Sequence, residues 1–219
     1  MIRKPNHLDV YLMRHVEAYK NLAKVSGGGD QRLTPRGEMQ ASTLGAFLLQ
    51  ATGGFEGLRI VHQPEGRSEE TAKRIGAITL SAVYVDPRLK GVGMGEVAGL
   101  SQQELENLYP DVAKGMAAWR ASGGKLRRPK VPGSEPMVDF ANRVYAGLLE
   151  NVELANSSLA VVGTTSTLVM LRHLLQRDGE FSRPDYEFFE MPLGSAAVWH
   201  VSDDKPIEAL PTTIPQINN

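Results

Sequence analysis

The sequence predicts an α/β fold with a largely parallel sheet and helices packed on it. Three observations point there. Short apolar, β-prone runs alternate with stretches of helical periodicity over most of the 219 residues. Recognisable cap and stop residues punctuate the helical stretches. The composition, 42% hydrophobic and 22% charged, is that of an ordinary globular chain.

Residues 8–13, Leu-Asp-Val-Tyr-Leu-Met, read as a buried strand. A Gly-rich loop follows at 26–30. Thr34-Pro35-Arg36-Gly37-Glu38 opens a helix, because a Thr oxygen caps free N–H groups and Pro suits the first helical position. Ala41, Leu44, Leu48 and Leu49 continue it as an apolar stripe, and Gly53-Gly54 stops it. Residues 58–62 form a second strand, 67–75 a helix with Thr71, Ala72 and Ile75 near one face, and 81–85 a third strand. Residues 91–99 hold four glycines and form a loop. Ser101-Gln102-Gln103-Glu104 is a capping box that opens another helix. Residues 111–121 are helical and end at Gly123-Gly124, and 125–136 form a polar loop. A long amphipathic helix at 137–154 carries Phe140, Val144, Leu148 and Leu149. A fourth strand at 159–162, a helix at 165–176 and a last strand at 196–201 complete the pattern. The tail from Asp203, with Pro206, Pro211 and Pro215, is expected on the surface. No repeat or linker interrupts the chain, so the partition is one domain over 1–219, with a helical insertion at about 90–136 and a surface tail at about 203–219.

Twenty-four Lys and Arg balance 25 Asp and Glu, a net charge of −1, which leaves no electrostatic footprint for nucleic acid. The strongest basic cluster, Lys125, Arg127, Arg128 and Lys130, is short, lacks interleaved aromatics and reads as a solvated loop. The absence of Cys removes disulfides, thiolate catalysis and Cys-based zinc sites. The five His, at 7, 15, 62, 173 and 200, include no i,i+4 pair, so no metal site is expected. No apolar run approaches the length that crosses a bilayer. The N-terminal segment lacks the apolar core of a secretory signal, so a cytoplasmic location is expected.

The first strand runs into Arg14-His15-Val16-Glu17-Ala18-Tyr19-Lys20-Asn21. Ligands of open α/β sheets bind at the carboxyl ends of strands. An Arg there offers a fixed fork of donors to a phosphate, and a neutral imidazole can attack phosphorus. Asn21 adds a neutral donor. The plain alternative is a capping Arg beside a His satisfied within a loop.

The segment Arg14-His15-x-Glu17-x-x-x-Asn21 resembles the signature of the histidine phosphatase superfamily, which includes the cofactor-dependent phosphoglycerate mutases. Four further segments resemble the family's in order and spacing. They are Leu33-Thr34-Pro35-Arg36-Gly37, Gln63-Pro64-x-x-Arg67-Ser68-x-x-Thr71-Ala72, Gly95-Glu96-Val97-Ala98-Gly99, and Pro132-Gly133-Ser134-Glu135 followed by Phe140 and Arg143-Val144. The late run Leu159-Ala-Val-Val162 stands where the family's last core strand belongs. The resemblance covers about residues 8–201. It implies a three-layer α/β/α, phosphoglycerate mutase-like fold with a mostly parallel central sheet and a helical insertion. It also implies His15 as nucleophile, with Arg14, Asn21 and Arg67 around the phosphate; the strand-to-helix turn at Thr164, Thr165 and Ser166 adds free N–H groups and hydroxyls for the same anion. No metal or organic cofactor is implied, and the partner is a small phosphorylated or otherwise anionic molecule.

The departures bear on activity. Thr164 takes the place where the resemblance implies a second His, and Gly91 the place of the acid Glu. Gln63 stands where Ser is usual, and Val16 replaces the Gly after His15. A general acid contributes ~10²–10⁴-fold, and one preorganised donor at developing charge roughly 3–4 kcal/mol. Losing both costs about 10⁴–10⁷ in rate, with no expectation of additivity. Glu96 is a candidate substitute acid and His62 a candidate pocket residue, while Glu17 is expected to orient its neighbours. Specificity falls to 90–136 and 178–192, where Arg127, Arg128, Arg183, Tyr186 and Phe188 could line an entrance.

Two other motifs lack their context. Gly93-Met94-Gly95-Glu96-Val97-Ala98 fits a dinucleotide fingerprint, but Pro87 and the Gly-rich run deny it the preceding strand. Residues 163–167 sit on a strand–turn–helix like a nucleophile elbow, but Thr164 fills a glycine place around Ser166. Three readings stay open: weak or atypical phosphomonoester hydrolysis through a phospho-histidine at His15, a repurposed enzyme on this fold, or a non-catalytic phosphatase-like binding protein. A homodimer through an exposed edge near 196–201 is a further expectation.

Overall fold

A computed structural model describes residues 7–22, 30–53, 57–182, 185–202 and 205–210, with backbone alone at 7, 200–202 and 205–210. Most of the expected Gly-rich loop at 26–30, Arg183 and the tail beyond 210 lie outside the described residues.

In chain order the elements are β1 (His7–Arg14), α1 (Tyr19–Leu22), α2 (Pro35–Thr52), β2 (Leu58–His62), α3 (Gly66–Thr79) and β3 (Val83–Val85). Two 3-10 turns, Pro87–Leu89 and Gly95–Val97, lead into α4 (Gln102–Leu108) and α5 (Pro110–Ala121). Then come α6 (Met137–Leu154), β4 (Ser158–Gly163), α7 (Thr165–Leu175), β5 (Ala196–Ser202) and β6 (Lys205–Leu210). The expected helix starts are realised in detail. Thr34 Oγ1 accepts from the Gly37 amide at 3.0 Å, and Ser101 and Glu104 close a reciprocal capping box. Gly53 ends α2 in the left-handed conformation at φ 73°.

The strands form one sheet in the order β3-β2-β4-β1-β5-β6. β3, β2, β4 and β1 are mutually parallel, while β5 runs antiparallel to β1 and β6 antiparallel to β5. Five strands therefore point one way and β5 the other. Side-chain alternation splits the core. Leu8, Val10, Leu12, Leu159 and Val161 pack with Phe140, Val144 and Leu148 of α6 and Leu168 and Leu171 of α7. Tyr11, Met13, Ala160 and Val162 pack with Ala41, Leu44 and Leu48 of α2 and Ala72 and Ile75 of α3. Each fully buried Leu or Ile contributes about 1.5–3 kcal/mol, so the two-sided core accounts for the α/β/α layering the sequence implied.

Two expectations are corrected. The strand at 196–201 is neither last nor an edge, because β6 pairs with its outer side. Pro206 sits within β6, and an outer strand tolerates a missing N–H. The dimer edge expected at 196–201 is thus occupied by the chain itself. Within the basic cluster, Lys125, Arg127 and Lys130 are exposed, but Arg128 is partly buried. Its guanidinium donates to the sulfurs of Met94 at 3.0 Å and Met137 at 3.8 Å. Among the described residues no helix is long and apolar enough to cross a membrane.

Candidate functional site

Neighbouring β1 and β4 send their following helices to opposite faces of the sheet, α2 to one and α7 to the other. Such a divergence opens a crevice at the carboxyl ends of the strands. A cavity of about 580 Å³ lies there, within the range that holds small molecules. Its lining includes Arg14, His15, Lys20, Asn21, Glu65 and Arg67 together with Gly91, Thr164, Thr165 and Ser166.

His15 follows β1, and its amide donates to the Gly163 carbonyl at 3.0 Å, which ties it to the end of β4. The ring is buried. Its Nε2 accepts from Arg67 Nε at 3.0 Å, and Nδ1 stands 2.8 Å from the Val16 carbonyl oxygen. A guanidinium only donates, so Nε2 carries the lone pair and Nδ1 the proton. Burial, then the Arg67 charge, with smaller contributions from Arg14 and Lys20, push the imidazole down to a pKa of about 3. The ring is a neutral, oriented base.

Arg67 occupies the first turn of α3, and its Nη1 donates to Gln31 Oε1 at 2.5 Å. Arg14 ends β1. Its Nη1 donates to the Met191 carbonyl, and its Nη2 lies 3.5 Å from the exposed Glu190 carboxylate. Burial lowers the pKa of both guanidinium groups. Asn21 accepts from the Ala18 amide through Oδ1 at 3.0 Å, which leaves its NH₂ as the donor end. Lys20 is buried, and desolvation followed by the Arg67 charge brings its ammonium down to a pKa of about 8.

Thr164 precedes α7. Its amide donates to Gln63 Oε1 at 2.9 Å, so a side chain from the end of β2 bridges to the end of β4. Thr165 and Ser166 begin α7, where unsatisfied amides and the helix dipole favour an anion. Three lining residues carry a buried polar atom with no hydrogen-bond partner in the protein: Arg14 Nε, Glu65 Oε2 and Thr165 Oγ1. Such atoms are costly to bury unless something satisfies them.

The surrounding loops are held by ion pairs and close backbone approach. Glu17 accepts from Thr34 Oγ1 at 2.7 Å and lies 3.7 Å from Arg36, so it ties the loop after β1 to the start of α2. A Cβ at Gly37 would stand 2.0 Å from the Glu17 carbonyl oxygen, so that close approach requires glycine. Arg143 grips Glu135 at 2.8 and 2.7 Å and donates to the carbonyls of Arg88 at 2.5 Å and Lys90 at 2.9 Å. Glu135 also accepts from the Gly93 amide at 2.9 Å. This staple fixes the loop that carries Gly91.

The chain matches the family model of the histidine phosphatase superfamily (branch 1) over residues 10–206. It belongs to that superfamily. A probable phosphoglycerate mutase GpmB of Salmonella choleraesuis (strain SC-B67) is 30% identical over 196 residues, covering 82% of this chain and 86% of that protein. The counterpart from Salmonella paratyphi C (strain RKS4594) is 28% identical over 194 residues, with the same coverage. Solved structures share the fold. YhfR of Bacillus stearothermophilus superposes with a TM-score of 0.71 at 22% identity, covering 92% of this chain and 95% of that one. The mycobacterial glucosyl-3-phosphoglycerate phosphatase gives 0.70 at 21% identity, covering 89% and 90%.

In this superfamily member, the residues read from the sequence as nucleophile and phosphate ligands, His15, Arg14, Asn21, Arg67, Thr164 and Thr165, all line one cavity. Two other readings find no such place. Glu96 is exposed, stands 3.4 Å from the Tyr109 hydroxyl, and is absent from the cavity lining. His62 is buried with Nδ1 2.8 Å from the Gln63 carbonyl oxygen, and it too does not line the cavity. Of the expected entrance residues, Arg128, Tyr186 and Phe188 line the cavity. Arg127 instead lines a neighbouring one of about 620 Å³, which shares Trp119, Arg128, Met137 and Tyr186 with the first. Sequence reasoning missed Lys20, Glu65 and the wall formed by Leu105 of α4 with Met116, Trp119 and Arg120 of α5. Adjacency to Asn21 was a signal for Lys20; the α4–α5 wall falls within the 90–136 insertion expected to set specificity, but which of its residues face the cavity depends on tertiary packing.

Proposed function

We propose that this protein binds a small phosphorylated molecule at the ends of β1 and β4 and hydrolyses its phosphomonoester slowly through a phospho-histidine at His15. One observation carries the reading: His15 holds an unprotonated Nε2 beside the Arg67 guanidinium in a cavity that Arg14 also lines. A neutral imidazole nitrogen bonds phosphorus, and two guanidinium forks hold its oxygens. Asn21 and the start of α7, with Thr164 and Thr165, supply further donors. A phosphate oxygen is a suitable partner for the buried Arg14 Nε and Thr165 Oγ1. The curated relatives named probable phosphoglycerate mutases suggest the ligand class, a phosphorylated small acid.

The slow rate follows from Thr164, which stands where the family resemblance implies an imidazole donor. The test is release of inorganic phosphate from para-nitrophenyl phosphate, paired with inorganic phosphate binding. Release that disappears in His15→Ala, with phosphate affinity reduced at least about tenfold in Arg67→Ala, supports the reading. Unchanged release in His15→Ala sinks it. The Arg67–His15 hydrogen bond favours a second reading, in which the capped Nε2 never reacts and the protein binds its ligand without turnover. Phosphate binding with no release at any pH distinguishes it.

A further inference from the structure

A phosphomonoester of an ordinary alcohol leaves as an alkoxide unless a group supplies a proton, and neither Thr164 nor Gly91 carries an acid. Among the described residues, two carboxylates line the cavity, Glu65 and Glu190. Glu190 is 77% exposed at its side chain and lies beside Arg14. Glu65 is different. It precedes α3, yet its side chain makes no cap bond to that helix. Its Oε2 is buried without a hydrogen-bond partner. Its charge acts on Lys20 and Arg67, which places it against the same cationic groups that surround His15. Its Oε1 also lies near Gly91. A Cβ built on Gly91 would stand 4.0 Å from Glu65 Oε1 and 3.4 Å from the hydroxyls of Thr164 and Ser166. A bare glycine at 91 therefore leaves room beside the Glu65 carboxyl.

We propose that Glu65 is the catalytic acid of this site, delivering the leaving-group proton from the start of α3. The assignment rests on the phospho-histidine reading above. A phosphomonoester with a second ionisation near pH 6 brings the proton as its monoanion. On binding, that proton passes to the Glu65 carboxylate. The His15 Nε2 lone pair then forms the N–P bond, the P–O bond to the alcohol breaks, and the Glu65 proton moves to the leaving oxygen. In the second half a water oxygen bonds to phosphorus, its proton goes to Glu65, and the N–P bond breaks. The phosphate departs as its monoanion with the proton that Glu65 took from water, so the carboxylate is restored and the sum is ester monoanion plus water to alcohol plus phosphate monoanion.

The experiment compares para-nitrophenyl phosphate, whose phenolate leaves without a proton, with glycerol phosphate, whose alkoxide does not. Glu65→Gln is expected to lower kcat on glycerol phosphate about 10²–10⁴-fold, and at least about tenfold less on para-nitrophenyl phosphate. The double variant Glu65→Gln with Gly91→Glu is expected to recover at least about tenfold on glycerol phosphate, because a Cβ at 91 meets only ordinary contacts and stands 4.0 Å from Glu65 Oε1. Equal losses on both esters, no loss on either, or a wild-type protein inert toward glycerol phosphate overturns the assignment. The two readings separate through His15→Ala. Abolition of both activities there, with an unchanged ester ratio in Glu65→Gln, removes Glu65 alone. Retention of both activities in His15→Ala removes the phospho-histidine reading and this one with it.

Discussion

The Nε–H of Arg67 donates to Nε2 of His15 at 3.0 Å, so a permanent cation sits on the lone pair of a buried imidazole. That contact fixes the tautomer, and burial with the Arg67 charge makes protonation unfavourable, at a pKa of about 3 against an ordinary 6.5. Between those two values the unfolded chain binds a proton at His15 that the folded chain refuses. Stability therefore rises with pH across that window, is complete above about 6.5, and is lost as pH falls toward about 3. His15→Asn is expected to flatten this part of the pH–stability curve. Urea unfolding midpoints of wild type and variant, measured at steps between those pH values, check it. Parallel curves would mean that the ring is not held neutral.

Lys20 makes a second pH prediction, for binding. Desolvation and the Arg67 charge bring its ammonium to about 8, so the cavity loses one positive charge as pH rises through that value. Inorganic phosphate itself passes from a monoanion–dianion mixture near pH 7 to the dianion above it, a change that favours binding at a cationic site, so a fall in affinity reports the protein. Affinity is expected to fall at least about tenfold, equivalent to ~1.4 kcal/mol, from pH 7 to well above the midpoint. Lys20→Arg should hold affinity to higher pH, because a guanidinium stays charged. Calorimetric titration with phosphate at stepped pH reads both, and an identical profile for the two proteins contradicts the role given to Lys20.

Much of this was legible in the sequence, for local reasons. Thr34, Pro35, Ser101 and Glu104 mark helix starts because caps act over one turn. The five family-like segments placed Arg14, His15 and Arg67 together although 52 residues separate His15 from Arg67. The misses are tertiary. A Pro in the tail argued against regular structure, yet β6 forms as an outer strand that tolerates it. Glu96 and His62 lay near the right loops, but chain position does not say which way a side chain faces. Arg128 looked like part of a solvated cluster and turned inward onto Met137, nine residues away, and Met94, 34 residues away. Glu65 reads from the chain as an ordinary residue before a helix, and its neighbour Gly91 belongs to another loop.

Arg143 and Glu135 carry a prediction about the scaffold. The guanidinium makes two bonds to the carboxylate and further bonds to the carbonyls of Arg88 and Lys90, so one side chain organises the loop bearing Gly91. Its side chain is 27% exposed and that of Glu135 20%, so the pair is only partly screened by water. Arg143→Ala is expected to cost about 1–3 kcal/mol and to lower Tm by ~2–4 °C per kcal/mol. Arg143→Lys should recover little, because an ammonium cannot reproduce the fork. Thermal melts check the direction, and a Tm unchanged in Arg143→Ala would show that other contacts hold the loop.

Restoring the two groups that the family resemblance implies asks whether the cavity was disabled locally or rebuilt. Position 164 already lines the cavity, and its backbone is held by Gln63, so Thr164→His changes the side chain on a fixed anchor. A Cβ at 91 meets no atom closer than 3.4 Å, so Gly91→Glu begins from ordinary contact distances. An added imidazole donor at the developing charge brings about 10²–10³-fold, and an added acid ~10²–10⁴-fold, though the two will not multiply cleanly. The double variant is therefore expected to hydrolyse glycerol phosphate at least about 10²-fold faster than the parent. The single variants divide the cause. If Glu65 already delivers the proton, Gly91→Glu alone adds little and nearly all the gain arrives with Thr164→His. If Gly91→Glu alone carries the gain, the parent lacked an acid and Glu65 was not one. A double variant no faster than the parent would mean that the walls from α4 and α5 no longer present a phosphomonoester to His15.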